Sequence, residues 1–207
     1  MPIPPFTAAQ RRARIREAVR KSAGYERALG VLNAVLAEED AYTGEHTDDF
    51  VRIATATAER LHIRKRDRRV VELGAMLHDI GKISTPKEVL NKPGPLTDAE
   101  WEVMRRHVVD GEHMLRRAGR GLVGVARVVR ASHERWDGAG YPDRLAGEEI
   151  PLASRIVACA DAFSAMTTDR PYRPAMTRSA AVKELRAGAG SQFDPRVVGV
   201  MTDVLAA

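Results

Sequence analysis

The spacing of the apolar residues is the feature that most limits what this chain can fold into. Along almost all of its 207 residues they recur every three or four positions. That is the period of an amphipathic helix, and no segment alternates as a strand does. The sequence therefore predicts an all-α helical bundle. The predicted helices cover residues 7–22, 24–39, 44–61, 67–80, 97–117, 121–134, 151–166, 177–188 and 195–206, with one short helical turn inside the loop 84–95.

Turn and capping residues mark the ends of several predicted helices. Gly81 is typical of the position that follows a helix C-terminus. Thr97 opens a capping-box pattern, and Asp194 before Pro195 has the order of a helix start. The glycine- and proline-rich stretch of residues 136–151 is predicted to form a loop.

Five of the predicted helices place a histidine or aspartate on an otherwise apolar face. A core histidine satisfied by a hydrogen bond would explain one such residue, but five on separate helices indicate a shared polar centre inside the bundle. His107, for example, follows Val103 and Met104 and is predicted to share their buried side. Imidazole and carboxylate together suit a divalent transition metal. The candidate ligands are His46, His78, Asp79, His107, His133 and Asp161.

Composition excludes several classes of protein. The single cysteine, Cys159, excludes an intramolecular disulfide framework, and it lies in an apolar run where a small core residue is expected. No stretch approaches the roughly 20 apolar residues that span a bilayer. The N-terminus lacks the charged-then-apolar order of a secretion signal. We therefore expect a cytoplasmic protein with no membrane segment.

The net charge of +5 is concentrated at one end of the chain. Residues 1–22 carry six basic side chains and one acidic one, so the remainder is neutral on balance. A basic helix of this kind could contact nucleic acid or an anionic membrane. Because it has few large apolar residues, we interpret it as a linker or a partner-contacting helix, and we expect no nucleic-acid binding.

Six short motifs follow one another between residues 41 and 195. They are AYTGEH (41–46), HDIGK (78–82), KPGPLT (92–97), HERWDGAGYP (133–142), TDRPYR (168–173) and FDP (193–195). In this combination the chain resembles the HD-GYP domains, a branch of the HD metal-dependent phosphohydrolases. The resemblance implies an HD-domain helical bundle with a glycine- and proline-rich GYP loop at 39–207, after an N-terminal helical extension at 1–38. It also implies hydrolysis of cyclic di-GMP, a bacterial second messenger.

The same resemblance implies roles for individual residues. One metal, commonly iron or manganese in the family, would be held by His46, His78, Asp79 and Asp161. A second metal would be held by Asp79, which bridges the two ions, with His107 and His133. Substrate phosphate would be contacted by Lys82, Arg170 and Arg173, and the catalytic residues would be Asp79 and Lys82. A diguanylate cyclase domain of the GGDEF type would dock on the GYP loop, formed by Gly140, Tyr141 and Pro142.

Three positions depart from the family's pattern. Where the family has a His-His-Glu motif, this chain has Ser132 before His133. A serine hydroxyl is a poor ligand beside imidazole, so the second metal is expected to bind more weakly. Tyr42 stands where a carboxylate for a third metal is expected, which favours two metals. Ser164 replaces a common aspartate three residues after Asp161, and could alter contacts around the ligands without removing one.

The leading hypothesis is a phosphodiesterase that linearises cyclic di-GMP to pGpG and could continue to GMP. Two metals about 3.5–4 Å apart would activate a hydroxide, neutralise the phosphate and stabilise the leaving alkoxide, with Asp79 setting their spacing. Ser132 leaves open a second hypothesis, a catalytically weak or inactive module that binds a cyclic dinucleotide or a cyclase partner for signalling. A third is hydrolysis of another nucleotide or of another cyclic dinucleotide. The oligomeric state is open, with a homodimer as one option.

Four aromatic or histidine residues outside the ligand set can be explained without a role in metal binding. His62 and His113 do not share a face with the candidate ligands and are predicted to lie on the surface. Trp136 is expected to pin the glycine-rich loop by packing. For Tyr141 the alternatives are the same packing role or contact with a partner protein.

Overall fold

The computed structural model describes residues 47–169 and 174–206. In this part of the chain every regular element is a helix, which confirms the predicted all-α class, and extended pairing is limited to an isolated bridge between Ala189 and Phe193. The α-helices are α1 (Thr47–Arg60), α2 (Lys65–Leu77), α3 (Lys87–Leu90), α4 (Asp98–Arg105), α5 (His107–Ala118), α6 (Val123–Arg130), α7 (Leu152–Thr167), α8 (Arg178–Ala187) and α9 (Pro195–Ala206). Short 3₁₀ turns occur at Ile80–Ser84, Arg120–Leu122 and Gly147–Glu149.

Several predictions from the sequence fall outside the described residues. They are the helices at 7–22 and 24–39, the domain boundary between residues 38 and 39, and the residues Tyr42, His46, Arg170 and Arg173. All of them stay predictions. Within 47–169 and 174–206, no helix is long and apolar enough to cross a membrane.

Helix α7 forms the middle of the described bundle because apolar residues cover most of its surface. It packs against α1, α2, α6, α8 and α9, and Ile156 and Val157 are completely buried. Cys159 belongs to the same buried set, which confirms that it is a core residue, and burial raises the pKa of its thiol to about 12. Asp161 follows this apolar run directly, so the packing of the core determines where its carboxylate lies.

The predicted helix 97–117 is interrupted in the structure. The N–H of Arg106 donates to the carbonyl of Val103, a 3₁₀-type bond, and α5 begins at the next residue, His107. The prediction that His107 shares a buried side with Val103 was wrong, because Val103 is 36% exposed and His107 is 3% exposed. The interruption allows α5 to bury His107 while α4 remains near the surface.

Two other helices end earlier than predicted. α2 ends at Leu77, and the chain continues into the 3₁₀ turn Ile80–Ser84. α6 ends at Arg130, so His133 lies in the turn that follows and not on a helix. Among the described candidate ligands, Asp161 alone lies in the interior of a helix. Helix ends suit such residues because the last carbonyls lack an intrahelical partner and can accept a bond from a side chain.

The predicted helix starts are present. Thr97 N donates to Glu100 Oε2 at 2.7 Å and Glu100 N donates to Thr97 Oγ1 at 3.3 Å, which completes the capping box of α4. Asp194 Oδ1 accepts from Arg196 N at 2.8 Å at the start of α9. Helix α3 is the short turn predicted inside the loop 84–95.

Candidate metal centre

A close approach of two backbone segments brings Asp79 next to His107. The 3₁₀ turn that contains Gly81 lies directly against the first turn of α5. A Cβ atom at Gly81 would overlap the carbonyl oxygen of His107 and would lie 2.6 Å from the nitrogen of Gly111. Only glycine can occupy such a position without displacing the backbone. The prediction that Gly81 ends a helix was therefore wrong; the residue allows the turn to pack on α5.

Five of the predicted ligands lie close together, and we call them the histidine–aspartate cluster: His78, Asp79, His107, His133 and Asp161. Ligand atoms of Asp79, His107 and His133 all lie within 4.8 Å of one another. The remaining contacts run through His78, whose Nε2 lies 3.3 Å from Asp79 Oδ2 and 3.7 Å from Asp161 Oδ1. Because His107 Nε2 lies 3.5 Å from Asp79 Oδ1, the two oxygens of Asp79 face different histidines.

Backbone carbonyls orient two of the histidine rings. The Nδ1 atom of His78 lies 2.8 Å from the oxygen of Ala75, and the Nδ1 atom of His107 lies 2.7 Å from the oxygen of Met104. A carbonyl oxygen can only accept, so Nδ1 is the donor in each case. The Nε2 atom of each ring then faces Asp79. Proteins use this Nδ1–H to carbonyl bond to orient a metal-binding imidazole.

The Nε2 atom of His107 is buried and has no hydrogen-bond partner among the residues that the structure describes. A buried polar atom left without a partner costs about 1–3 kcal/mol. A cation beside Asp79 and His133 would satisfy it. One carboxylate and two imidazoles are also a donor set that suits a divalent transition metal. The residues present therefore fit such an ion.

The charges in the cluster favour a bound cation. Burial works against the charged form of Asp79, but His78 and Lys82 outweigh this effect and hold the pKa of its carboxyl well below the ordinary value. Burial also lowers the pKa of His78, yet attraction to Asp79 and Asp161 raises it to about 9. The carboxylates that attract this proton would attract a metal ion to the same place. Burial lowers the pKa of His133 to about 4, so its ring is a neutral potential ligand near pH 7.

Lys82 lies at the edge of the cluster. Its Nζ atom is 2.8 Å from Asp79 Oδ2, the oxygen that also faces His78. The side chain of Lys82 is 22% exposed and that of Asp79 is 15% exposed, so the pair is only partly accessible to water. The structure thus places the amine against a cluster carboxylate, and its predicted contact with substrate phosphate stays a prediction.

The chain also matches a known family over most of its length. The HD domain family matches residues 30–197. The chain belongs to the HD domain family. Its relatives place it in the HD-GYP branch, the family that the motifs predicted.

Curated relatives of this HD-GYP protein include phosphodiesterases of cyclic dinucleotides. It is 41% identical over 174 residues to the cyclic di-GMP phosphodiesterase response regulator RpfG of Xanthomonas campestris, covering 84% of this chain and 46% of that protein. It is 36% identical to a cyclic di-GMP phosphodiesterase of Thermotoga maritima, covering 82% and 46%. It is also 36% identical to the 3'3'-cGAMP-specific phosphodiesterase 2 of Vibrio cholerae, covering 78% and 31%. The chain spans less than half the length of each of these relatives.

Solved structures share the helical fold. A cyclic GMP-AMP specific phosphodiesterase of Vibrio cholerae superposes with a TM-score of 0.68 at 20% identity, covering 84% of this chain and 47% of that one. An HD-GYP-type protein of Bdellovibrio bacteriovorus superposes with a TM-score of 0.63 at 17% identity, covering 96% and 63%. At these identities the likeness concerns the fold alone.

In this HD-GYP protein the GYP loop packs against the cluster. The ring of Tyr141 stacks on that of His133, with centroids 5.1 Å apart and planes 12° apart, and Tyr141 N donates to the oxygen of His133 at 3.2 Å. Gly140 lies so close to the preceding backbone that a Cβ there would be 2.5 Å from the Cα of Glu134. Burial raises the pKa of the Tyr141 phenol. These contacts support the packing interpretation of Tyr141.

Trp136 attaches the start of the glycine-rich loop to the rest of the HD domain. The guanidinium carbon of Arg155 lies 5.6 Å from the centroid of its ring, a cation–π contact. Trp136 N donates to the oxygen of Gln192 at 3.1 Å, and Arg155 Nη1 donates to Asp194 Oδ2 at 2.7 Å. The loop is thereby tied to the beginning of α9, which supports the prediction that Trp136 pins it by packing.

An ion-paired network that was not predicted from the sequence holds the chain just beyond the GYP loop. Arg130 donates through Nε and Nη2 to the carboxylate of Asp143 at 2.6 and 2.7 Å, and through Nη1 to Glu112 at 2.7 Å. Glu134 Oε1 accepts from Asp143 N at 2.7 Å. The position of Glu134 inside a family motif was the one available signal. No sequence pattern pairs Arg130 with Glu112.

The two serines that depart from the family's pattern are buried or half-buried, whereas the two histidines outside the ligand set are exposed. Ser132 is buried, and its hydroxyl donates to the oxygen of Val129 at 2.8 Å, at the end of α6. Ser164 lies half-buried on α7. His62 and His113 are exposed, which confirms both as surface residues.

Proposed function

We propose that this protein is a metal-dependent phosphodiesterase that hydrolyses cyclic di-GMP to the linear dinucleotide pGpG. The proposal rests on the position of Asp79, whose two oxygens face different histidines, His78 and His107. A carboxylate placed in this way can bridge two cations of a two-metal site. Relatives that are 41% and 36% identical are named cyclic di-GMP phosphodiesterases, which supports this choice of substrate.

Two divalent cations, iron or manganese, are proposed as cofactors. One would be held by His78, Asp79 and Asp161 together with His46, and the other by Asp79, His107 and His133. Histidine and carboxylate ligands accept both metals. When bound, such cations activate a water molecule and neutralise the charge of a phosphodiester.

The surrounding side chains would position the substrate. Lys82 places a positive charge 2.8 Å from Asp79, so a phosphate held at the cluster would lie close to that charge. Arg170 and Arg173 are proposed as further phosphate contacts, because the guanidinium fork matches the geometry of a phosphate. The stacking of Tyr141 on His133 would keep water away from one side of this histidine.

Metal analysis of anaerobically purified protein, combined with chromatography of the reaction products, tests this function. We expect about two iron or manganese ions per chain and conversion of cyclic di-GMP to pGpG, with slow formation of GMP as an option. The assay should include 3'3'-cGAMP, because a relative is named as specific for it. A clear preference for 3'3'-cGAMP would reassign the substrate, and absence of product from either compound would refute the proposed activity.

A second candidate function is a signalling module that binds a cyclic dinucleotide without turnover. The observation in its favour is Ser132, which stands where the family has a histidine and whose hydroxyl hydrogen is donated to Val129. The second cation would then have three protein ligands, Asp79, His107 and His133. Saturable binding of cyclic di-GMP without product, in protein that holds a single metal ion, would favour this module.

Replacing Ser132 with histidine is expected to raise the affinity of the second metal and the turnover rate. An added imidazole supplies a nitrogen ligand that a hydroxyl does not, and the expected gain in either quantity is about 10-fold or more. Metal titration and initial rates measure it. Ser132→Ala is the matched control and should leave metal content unchanged. An unchanged rate in Ser132→His would mean that other groups already supply the missing ligand.

Partner binding and location are also proposed from the family. We propose that a GGDEF-type diguanylate cyclase domain contacts the GYP loop, although the packing of Tyr141 on His133 limits such contact to the outer surface of the loop. A cytoplasmic location and a homodimer stay predictions. Co-purification of a cyclase domain with the wild-type chain, and its loss when Pro142 is replaced with alanine, would support the contact.

A further inference from the structure

A cleft of about 450 Å³ lies beside the histidine–aspartate cluster. It is lined by Arg105, residues 138–142 and Arg144. Its volume falls in the range of small-molecule sites. The ring of Tyr141 is shared between the two places, because it lines the cleft and also stacks on His133. The cleft and the cluster are therefore adjacent.

Among the residues that the structure describes, the lining of the cleft carries two positive charges and no acidic residue. Ion pairs hold many arginines of this protein, such as Arg130 with Asp143. Within the described part of the chain, however, neither Arg105 nor Arg144 forms an ion pair. Both side chains are exposed. Two arginines in a glycine-rich cleft without a carboxylate are suited to binding an anion.

Aromatic contacts hold the guanidinium of Arg105 in place. Its central carbon lies 5.8 Å from the ring of Trp101 and 5.5 Å from the ring of Tyr141. Stacking of this kind orients a guanidinium while its N–H groups remain available to a ligand. Trp101 itself is 44% exposed on α4.

The backbone at Arg144 is held in an unusual conformation. Its φ angle is 58°, in the left-handed region that costs an L-residue with a side chain about 1–2 kcal/mol. The adjacent Asp143 is fixed by Glu134 through its N–H and by Arg130 through its carboxylate. Conformations of this type concentrate at functional sites. Here the fixed backbone directs a cationic side chain to the cleft.

We propose that Arg105 and Arg144 form a subsite for the second phosphate of a cyclic dinucleotide, the phosphate that is not being cleaved. The proposal rests on the proposed phosphodiesterase function. A cyclic dinucleotide carries two phosphodiester groups in one ring, so when one group occupies the cluster the other must lie a short distance away. Arg105 and His133 both contact the ring of Tyr141, so the cleft lies close enough to the cluster for this second phosphate.

Two substrates separate this subsite from the metal site. Cyclic di-GMP has a second phosphate, whereas bis(p-nitrophenyl) phosphate is a diester with a single one. With the metal-loaded full chain, Arg105→Gln and Arg144→Gln are each expected to raise the KM for cyclic di-GMP about tenfold more than the KM for bis(p-nitrophenyl) phosphate, which corresponds to about 1.4 kcal/mol. Arg105→Lys, which keeps the charge and loses the fork, should recover part of the difference. Arg117→Gln removes an exposed arginine outside the cleft and should change neither KM.

Equal losses with both substrates would overturn the subsite, because the arginines would then support the metal site in general. Unchanged KM values in both glutamine variants would overturn it as well. Calorimetric binding of cyclic di-GMP to manganese-loaded protein separates this failure from a failure of the proposed function. If the wild type cleaves neither substrate but binds cyclic di-GMP, a tenfold weaker Kd in Arg105→Gln supports the subsite and an unchanged Kd refutes it. Absence of binding to the wild type would refute both proposals.

Discussion

Replacing Asp79 with alanine is expected to abolish hydrolysis of cyclic di-GMP. This carboxylate lies between His78 and His107 and also pairs with Lys82, so its removal takes away a group that all three residues face. Substitutions that only touch the surroundings of a metal ligand cost about 10–100-fold. Loss of a shared ligand should therefore reduce kcat by more than about 100-fold. Metal content should fall in the same variant.

Stability must be measured alongside activity in this experiment. Removing one partner of a buried charged pair costs about 3–5 kcal/mol, so thermal unfolding followed by circular dichroism should accompany the rates. Asp79→Asn keeps the shape of the side chain and should lose activity with a smaller change in Tm. Asp203→Asn, at an exposed position on α9, is the matched control and should behave as wild type. A rate within tenfold of wild type in a folded Asp79→Ala protein would disprove the role of this residue.

Replacing Gly81 with alanine should destabilise the fold and separate the two halves of the cluster. The added methyl group would overlap the carbonyl oxygen of His107, and a backbone atom cannot swing away as the end of a side chain can. Overpacking of this kind costs about 1–3 kcal/mol or more. At about 3 kcal/mol lost from the free energy of unfolding, Tm falls by roughly 6–12 °C. Because the displaced turn directly follows Asp79 and packs against His107, metal content should fall as well.

Gly199→Ala provides a direct control for this prediction. Gly199 lies on α9, and apart from its chain neighbours and the backbone of its own helix no described atom lies within 4 Å of a Cβ built there. Alanine in the interior of a helix is more favourable than glycine by about 0.5–1 kcal/mol, so this variant should be as stable as wild type or slightly more stable. If both glycine variants unfold at the same temperature, the close packing of Gly81 on α5 is not important for the fold.

Helix ends were predicted well where the apolar stripe and the cap lie within the helix's own segment, and poorly elsewhere. The helices α7, α8 and α9 start and end within a residue or so of the predicted bounds, because their apolar stripes and caps are complete in their own segments. The break at Arg106 was missed, because no glycine or proline beside this residue marks it in the sequence and the residue keeps helical φ and ψ angles. The early end of α6 was missed because Val129 and His133 have a spacing that a helix would also produce.

In the candidate site, too, some residues could be selected from the sequence and others could not. His78, Asp79, His107, His133 and Asp161 could be selected from the sequence, because polar residues in apolar segments need a shared partner and because the motifs resemble a known family. Their role as metal ligands stays a prediction. The ion pair between Arg130 and Asp143 could not be selected, because it joins an arginine at the end of a helix to an aspartate in a loop, and many other pairings have equal spacing.

By itself, the sequence of this protein determined a helical class, most helix positions and a set of residues able to bind metal, since periodicity, caps and motifs are properties of short segments. The tertiary structure alone decided that the two oxygens of Asp79 face different histidines, that Gly81 lies against α5, and that Arg105 and Arg144 line one cleft. These features depend on how segments far apart in the chain pack together, and side-chain orientation follows from that packing.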